Sequence, residues 1–226
     1  MAGPPFLTDD PVPVELHHWE AYIFSTYDHS PGGTDTAGPA FELNLGAAPE
    51  LQVHLVVPWA WNDPAGATYR SGLGDVEMGF KLRVLDESRS RPQIGIFPMA
   101  ELPTGSGSQG LGNGRLWFRL PVWIQKSWGS WTTFGGGGWV INQAPGQRDH
   151  AFAGWLLQHD LSSKLTLGAE VFREGADTVG GRSSTFADVG GYLNFNPGFS
   201  LLFSAGHAFA GERHTIAYLG LYWTWG

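Results

Sequence analysis

The feature that most constrains this chain is a run of short, two-faced segments joined by connections that alternate in character from end to end. Twelve strands are expected, at roughly 16–27, 37–46, 51–62, 74–86, 91–103, 114–127, 130–142, 149–161, 165–174, 183–196, 199–209 and 214–225. Connections leaving the odd strands (28–36, 63–73, 104–113, 143–148, 175–182, 210–213) are mostly long and rich in Gly, Asp, Ser and Pro. The others are tight: Ala47 to Glu50, Glu87 to Ser90, Trp128-Gly129, Ser162 to Lys164 and Pro197-Gly198. An even-stranded antiparallel meander with long loops at one end and tight turns at the other is the plan of an up-and-down transmembrane β-barrel. Lipid offers no hydrogen-bond partner, so the first strand must pair with the last. Both termini then lie at the tight-turn end.

Side chains alternate between the faces of a strand, which sorts these residues into two sets. Over 76–84 one face reads Val76, Met78, Phe80, Leu82, Val84 and the other Glu77, Gly79, Lys81, Arg83. Over 116–125 Leu116, Phe118, Leu120, Val122 and Ile124 alternate with Trp117, Arg119, Pro121, Trp123 and Gln125. The polar set contains seven acids (Glu20, Glu42, Glu77, Glu101, Asp160, Glu170, Asp188) and three bases (Lys81, Arg83, Arg119). A lumen suits it better than a solvated surface, because it also carries many glycines, which fit a crowded or curved interior. Tyr22, Phe97, Trp117, Trp123, Phe172, Tyr192, Tyr218 and Tyr222 share this face. They either form a slide for aromatic solutes or fill volume. Charges in such an interior must pair. The surplus of acids predicts a path that favours cations and neutral solutes over anions. Pro58, Pro98 and Pro121 fall inside strands, where each removes a ladder bond, and bulges or bends are expected there.

Indole rings gather near strand ends. Trp19, Trp128, Trp131, Trp223 and Trp225 mark the tight-turn end, and Trp59, Trp61 and Trp139 the other, as in the aromatic girdles of a membrane barrel. The alternative is a soluble β-sandwich with a Trp-rich core. Residues 1–15, with four prolines and no alternation, read as an irregular periplasmic segment preceding a single barrel domain over 16–226. A fold-back into the lumen as a plug is the other reading of that segment. Met1-Ala2-Gly3-Pro4-Pro5 resembles a mature N-terminus with an added start Met, and no signal-peptide pattern precedes it.

Other chemistry is hard to find. The 226 residues include no Cys, which excludes disulfides and thiolate metal sites. The net charge of −8, with scattered bases, argues against nucleic acid as a partner. No apolar run reaches the about 18 residues of a spanning helix. No nucleophile elbow, metalloprotease helix motif or P-loop occurs, so no catalytic residue, metal or cofactor is expected. Gly135 to Gly138 precedes no helix and makes a poor phosphate cradle. His17 and His18 point to opposite faces, and Ser204 and His207 have opposite parity, which weakens a metal site and a hydrolase pair respectively.

Several stretches resemble one family: Gly3 to Pro11, Gly74-Asp75-Val76-Glu77-Met78-Gly79, Gly95 to Pro98 running to Glu101-Leu102-Pro103-Thr104-Gly105, Leu120-Pro121-Val122-Trp123, Thr133 to Gly138, and Thr178 to Ser184. Together they are similar to the outer-membrane transporter family labelled "meta-pathway of phenol degradation". The resemblance implies a small porin-like barrel in a bacterial outer membrane, with uptake of aromatic or other hydrophobic solutes as the suggested role. It implies as partners the lipid bilayer, lipopolysaccharide, the outer-membrane assembly machinery and a small-molecule solute. It supplies no catalytic residues. The assembly signal is expected to use Trp223 and Trp225, since Gly226 follows where an aromatic residue commonly ends such chains. The expected function is passive uptake of small solutes. The alternatives are a closed structural barrel that presents its loops to a partner, and an outer-membrane lipid hydrolase.

Overall fold

The computed structural model describes residues 5–226. Its strand segments are β1 Trp19–Ser30, β2 Gly33–Ala48, β3 Leu51–Pro64, β4 Arg70–Leu73, β5 Val76–Leu85, β6 Gln93–Ile96, β7 Met99–Leu102, β8 Trp117–Trp128, β9 Trp131–Ile141, β10 His150–Asp160, β11 Leu165–Glu174, β12 Ser184–Asn196, β13 Phe199–Gly211 and β14 Thr215–Trp225. β4 and β5 both pair with β3, and β6 and β7 both lie between β5 and β8. Each couple is one strand broken once, so the wall has twelve strands. Pairing is antiparallel between neighbours, and β14 returns to β1 from Trp19↔Trp225 to His29↔Thr215. The sheet is a closed barrel with no free edge, as a hydrocarbon surround requires.

The breaks fall at prolines. β3 pairs with β5 over Leu51–Val56 and with β4 over Trp59–Asn62, leaving Val57 and Pro58 in the gap opposite Gly74-Asp75. Phe97-Pro98 separates β6 from β7. Pro121 leaves β8 unbroken, facing Gly138 on one side and the Phe97-Pro98 break on the other, where its carbonyl accepts the Phe97 N–H at 3.3 Å. Residues without an N–H are thus placed where the ladder is already interrupted.

One connection is much shorter than the sequence suggests. The stretch 28–36 reads as a loop because it is polar, but β1 and β2 run on to Ser30 and from Gly33, leaving Pro31-Gly32 as the turn. Polar residues in the outer part of a barrel strand stand in water, so the apolar alternation fades before the strand ends. Gly33 has φ +142°, and a Cβ there would lie 2.5 Å from the Asp63 carbonyl oxygen, so the tip needs glycine.

The described residues of the N-terminal segment are irregular and run inside the barrel, the fold-back that the sequence left open beside a periplasmic segment. Phe6, Thr8, Asp9, Pro11 and Val14 are buried against the lumenal wall. The expected domain boundary at 16 becomes a short bridge, Leu16 to Gly46, before β1 begins at Trp19.

Candidate functional site

The two faces are sorted as alternation requires. Ile23, Phe41, Val53, Leu55, Met78, Phe80, Val122 and Val171 are exposed on the outside, while Glu42, Glu77, Lys81, Glu170 and Asp188 are buried inside. The outer surface of the wall is therefore apolar and the inner surface polar, the inverse of a soluble barrel. Ring systems crowd the tight-turn rim: Trp19 is opposite Trp225, Trp128 opposite Trp131, and Trp223 stacks on Phe199 at 5.1 Å. Towards the long-loop end Trp59 and Trp139 are exposed, and the Trp61 indole N–H donates to the Gly38 carbonyl. Trp155, unnoticed in the sequence, is also exposed outward, and its ring covers Gly135.

The interior divides into three levels. In the tight-turn half, Glu20, Tyr22, Tyr192 and Tyr222 line a cavity of about 360 Å3. At mid-height Trp123 packs with Phe97, Met99, Phe152 and Phe172 in an apolar cluster. The Arg119 guanidinium carbon lies 3.8 Å from the Phe152 ring centre, and Arg119 Nη2 is 3.6 Å from Glu174. Tyr218 stacks on Phe24 at 5.3 Å. At the long-loop end Glu101 and Trp117 line a vestibule of about 750 Å3, and a second one of about 320 Å3 lies beside it. No residue lines both the lower cavity and either vestibule. Arg83 and Asp160 face inward by parity but stand at the tight-turn rim. Arg83 pairs with Glu50 and with Asp86 at 3.0 Å, and Asp160 accepts from the Thr166 hydroxyl at 2.5 Å. In the 49–50 turn the Arg83 guanidinium holds the Glu50 carboxyl below its usual range.

The N-terminal segment, the strap, passes through these levels: Leu7 lines the smaller vestibule and packs against the mid-height cluster, and Asp9, Asp10, Val12 and Pro13 line the lower cavity. Four wall side chains, each on a different strand, tie it down. The Ser204 hydroxyl donates to the Pro5 carbonyl at 2.5 Å, and Glu170 accepts the backbone N–H groups of Leu7 (3.0 Å) and Thr8. Lys81 Nζ is 3.0 Å from Asp9 and 3.5 Å from Asp10, and Gln52 accepts the Val14 N–H at 3.0 Å. Each satisfies a polar group that would be costly to bury alone. The lumenal glycines explain how the strap fits. A methyl on Gly154 would sit 1.9 Å from the Thr8 hydroxyl, and one on Gly46 1.9 Å from the Glu15 carbonyl oxygen. Gly95 and Gly168 face Pro11 and Phe6 in the same way. Those glycines are the seat of the strap, and they are the sequence signal from which it could have been found.

Beside the strap His54 joins two lumenal acids. Its Nε2 is 2.7 Å from Glu77 and its Nδ1 2.7 Å from Asn44, whose amide donates to Glu42 at 2.8 Å. Alternation placed these side chains inward but did not single out His54 as their bridge. At the other end the loop 103–116 is folded over the vestibule by one carboxylate. Asp75, at the break between β4 and β5, accepts the N–H groups of Gly105 (2.9 Å) and Asn113 (2.6 Å). The family-like stretches around 74–79 and 101–105 thus meet at Asp75. His214, in the turn before β14, is held 2.8 Å from Asp28, and that carboxylate raises its pKa above the usual histidine value.

No cluster of three or more metal-ligating side chains occurs among the described residues. Ser204 is committed to the strap while His207 points outward and bonds Thr215 at 3.0 Å, so these two form no catalytic pair.

A family model described as "Putative MetA-pathway of phenol degradation" matches residues 27–224. The chain belongs to this family. No curated protein sequence matches it. Among solved structures this family member resembles the COG4313 outer membrane channel from Pseudomonas putida F1, with TM-score 0.78 and 14% identity over 96% of this chain and 99% of that one. It also resembles the KdgM porin (TM-score 0.63, 10% identity, 91% of this chain and 99% of that one) and the NanC porin (TM-score 0.60, 6% identity, 90% and 98%). At these identities the likeness speaks for the fold: a closed, porin-like antiparallel barrel.

Proposed function

We propose that the protein is a narrow outer-membrane channel for passive uptake of small solutes, held closed at mid-height by its own N-terminal strap. The observation that carries this reading is the closed wall itself, apolar outside and charged inside, with a cavity or vestibule at each end of the lumen. Such a wall is stable only where hydrocarbon surrounds it. The likeness to an outer membrane channel and to two porins supports the same role. The long loops then face the outside and lipopolysaccharide, and the tight turns face the periplasm. Trp223 and Trp225 are the candidate signal for the assembly machinery. Glu20, Glu42, Glu77 and Glu101 against Lys81 give the path a cationic preference. The aromatic cluster around Trp123 gives it an affinity for ring-bearing or otherwise hydrophobic solutes.

The test is single-channel recording of refolded protein in a planar bilayer under a salt gradient. Small, discrete, cation-preferring openings are expected. Stable insertion without any permeation of ions or small solutes would favour a second reading, a structural barrel that presents its loops to a partner. The occluding strap is the observation on that side. Hydrolysis of lipid or detergent esters would overturn both.

A further inference from the structure

Beside the larger vestibule three adjacent seams of the wall are interrupted at one height. The β1–β2 register shifts between Phe24 and Thr26, and the β2–β3 register between Ala37 and Ala40. On its other side β3 pairs with β5 up to Val56 and with β4 from Trp59. Gly38-Pro39, Val57-Pro58 and Gly74-Asp75 therefore lie side by side outside the regular ladder. Pro39 and Pro58 have no N–H to offer it. The bonds that bridge this level include Gly74 N–H to the Pro58 carbonyl at 3.0 Å, Ala37 N–H to the Thr26 hydroxyl at 3.3 Å, and the Trp61 indole N–H to the Gly38 carbonyl. The other register shifts lie near strand ends.

The wall is hollowed on both sides here. Outside, Phe41, Val57, Trp59 and Leu73 line a groove of about 260 Å3 that carries no charged side chain. It opens on the apolar face of the barrel, so what it meets is hydrocarbon. Inside, Ala37, Pro58, Ala60 and Trp61 form an apolar side of the vestibule, whose acids are Asp28, Asp35, Asp75 and Glu101. Pro58 and Trp61 line both spaces, so groove and vestibule share one partition. Opening a barrel wall in lipid leaves backbone groups unsatisfied wherever a ladder bond parts. Where the ladder is already interrupted, few such bonds are left to part. Straight down, the lumen is filled by the strap and the Trp123 cluster. We propose that this seam is a lateral port through which uncharged, apolar ring compounds pass between the vestibule and the hydrocarbon of the membrane, with Trp61 as the movable part of the partition. The groove excludes charge by its lining, and its volume is close to the lower end of the range of small-ligand sites, about 300 Å3. The port rests on the channel reading for how solute reaches the vestibule.

The test is transfer of N-phenyl-1-naphthylamine, which fluoresces on entering hydrocarbon, into vesicles with an outer leaflet of lipopolysaccharide, with and without the full chain inserted. The protein should speed transfer over protein-free vesicles. Ala37 and Ala60 are opposite each other across the β2–β3 seam. Residues so placed have Cα atoms about 4.5–5.5 Å apart, within reach of a disulfide. The chain has no other cysteine, so Ala37→Cys combined with Ala60→Cys pins the seam when oxidised. Transfer should then fall to the protein-free rate and return on reduction, which makes the reduced form the folding control. Trp61→Phe keeps a ring but loses the bond to Gly38, and should speed transfer about fivefold. No acceleration by the unaltered protein, or transfer unchanged by oxidation of the cysteine pair, would overturn the port. Single-channel recording of the same protein separates the two readings. Conductance without accelerated transfer removes the port and leaves the channel, while accelerated, reductant-sensitive transfer without conductance does the reverse.

Discussion

Glu170 should be the residue on which closure of the lumen depends most. It is 3% exposed and accepts two strap N–H groups, from Leu7 and Thr8. Hydrogen bonds to a charged partner each contribute about 1.5–3 kcal/mol, so Glu170→Leu removes roughly 3–6 kcal/mol from the strap in its seat. At about 1.4 kcal/mol per factor of ten, the population with the strap released rises roughly 10²–10⁴-fold. The barrel ladder is untouched, so the wall should stay folded. The chain has no cysteine, which makes the strap easy to report on. Thr8 is 1% exposed, and Thr8→Cys should be almost inert to a water-soluble maleimide. The same cysteine combined with Glu170→Leu should react about 10²–10⁴ times faster, and combined with Glu170→Gln, which keeps one acceptor oxygen, at an intermediate rate. A change smaller than about threefold in folded protein would refute the claim that this carboxylate holds the strap.

Val189 is 64% exposed at mid-length on the outer face of β12, so Val189→Arg should cost about 2–4 kcal/mol in denaturant unfolding from bilayers. Val179, 74% exposed in the loop before β12, should accept arginine within about 0.5 kcal/mol; equal costs at the two sites would place the membrane wrongly. Glu77 and Glu101 are opposite each other on β5 and β7, and changing both to glutamine should move the reversal potential toward zero selectivity. An unmoved potential would remove them from the ion path. His214 has its pKa raised by Asp28, so the tie between its turn and β1 is complete below the ordinary histidine value of about 6.5 and is lost as pH rises through the higher folded value. Amide protection in 211–214 should therefore fall across that rise, and His214→Gln should abolish the pH dependence.

Much of the wall was legible because period-two alternation is imposed by burial on one side and lipid on the other. From Glu77 to Lys81 exposed Met78 and Phe80 alternate with buried or half-buried Glu77, Gly79 and Lys81, and Trp117 to Gln125 alternates in the same way. Legibility fails where that constraint ends. Thr34 and Thr36 belong to β2 but stand beyond the apolar band, so they read as loop. Arg83 and Asp160 have inward parity, but parity carries no height, and both stop at the rim. The strap was the hardest part. Proline-rich and without period, residues 5–15 leave no strand or helix pattern, and their positions follow from single contacts to Ser204, Glu170, Lys81 and Gln52 far along the chain. The sequence did record the fit on the other partner, as glycines at 46, 95, 154 and 168 on the lumenal face. Without the strap in view, those glycines could equally have meant curvature.

On the channel reading the strap, and not the wall, closes this barrel. The direct test compares single-channel conductance of the full chain with that of a chain lacking residues 1–13, refolded and recorded in the same bilayer and salt. The deletion should raise conductance several-fold while keeping cation preference, because the wall carboxylates Glu20, Glu42 and Glu77 remain. Equal conductance from two properly folded proteins would contradict the account.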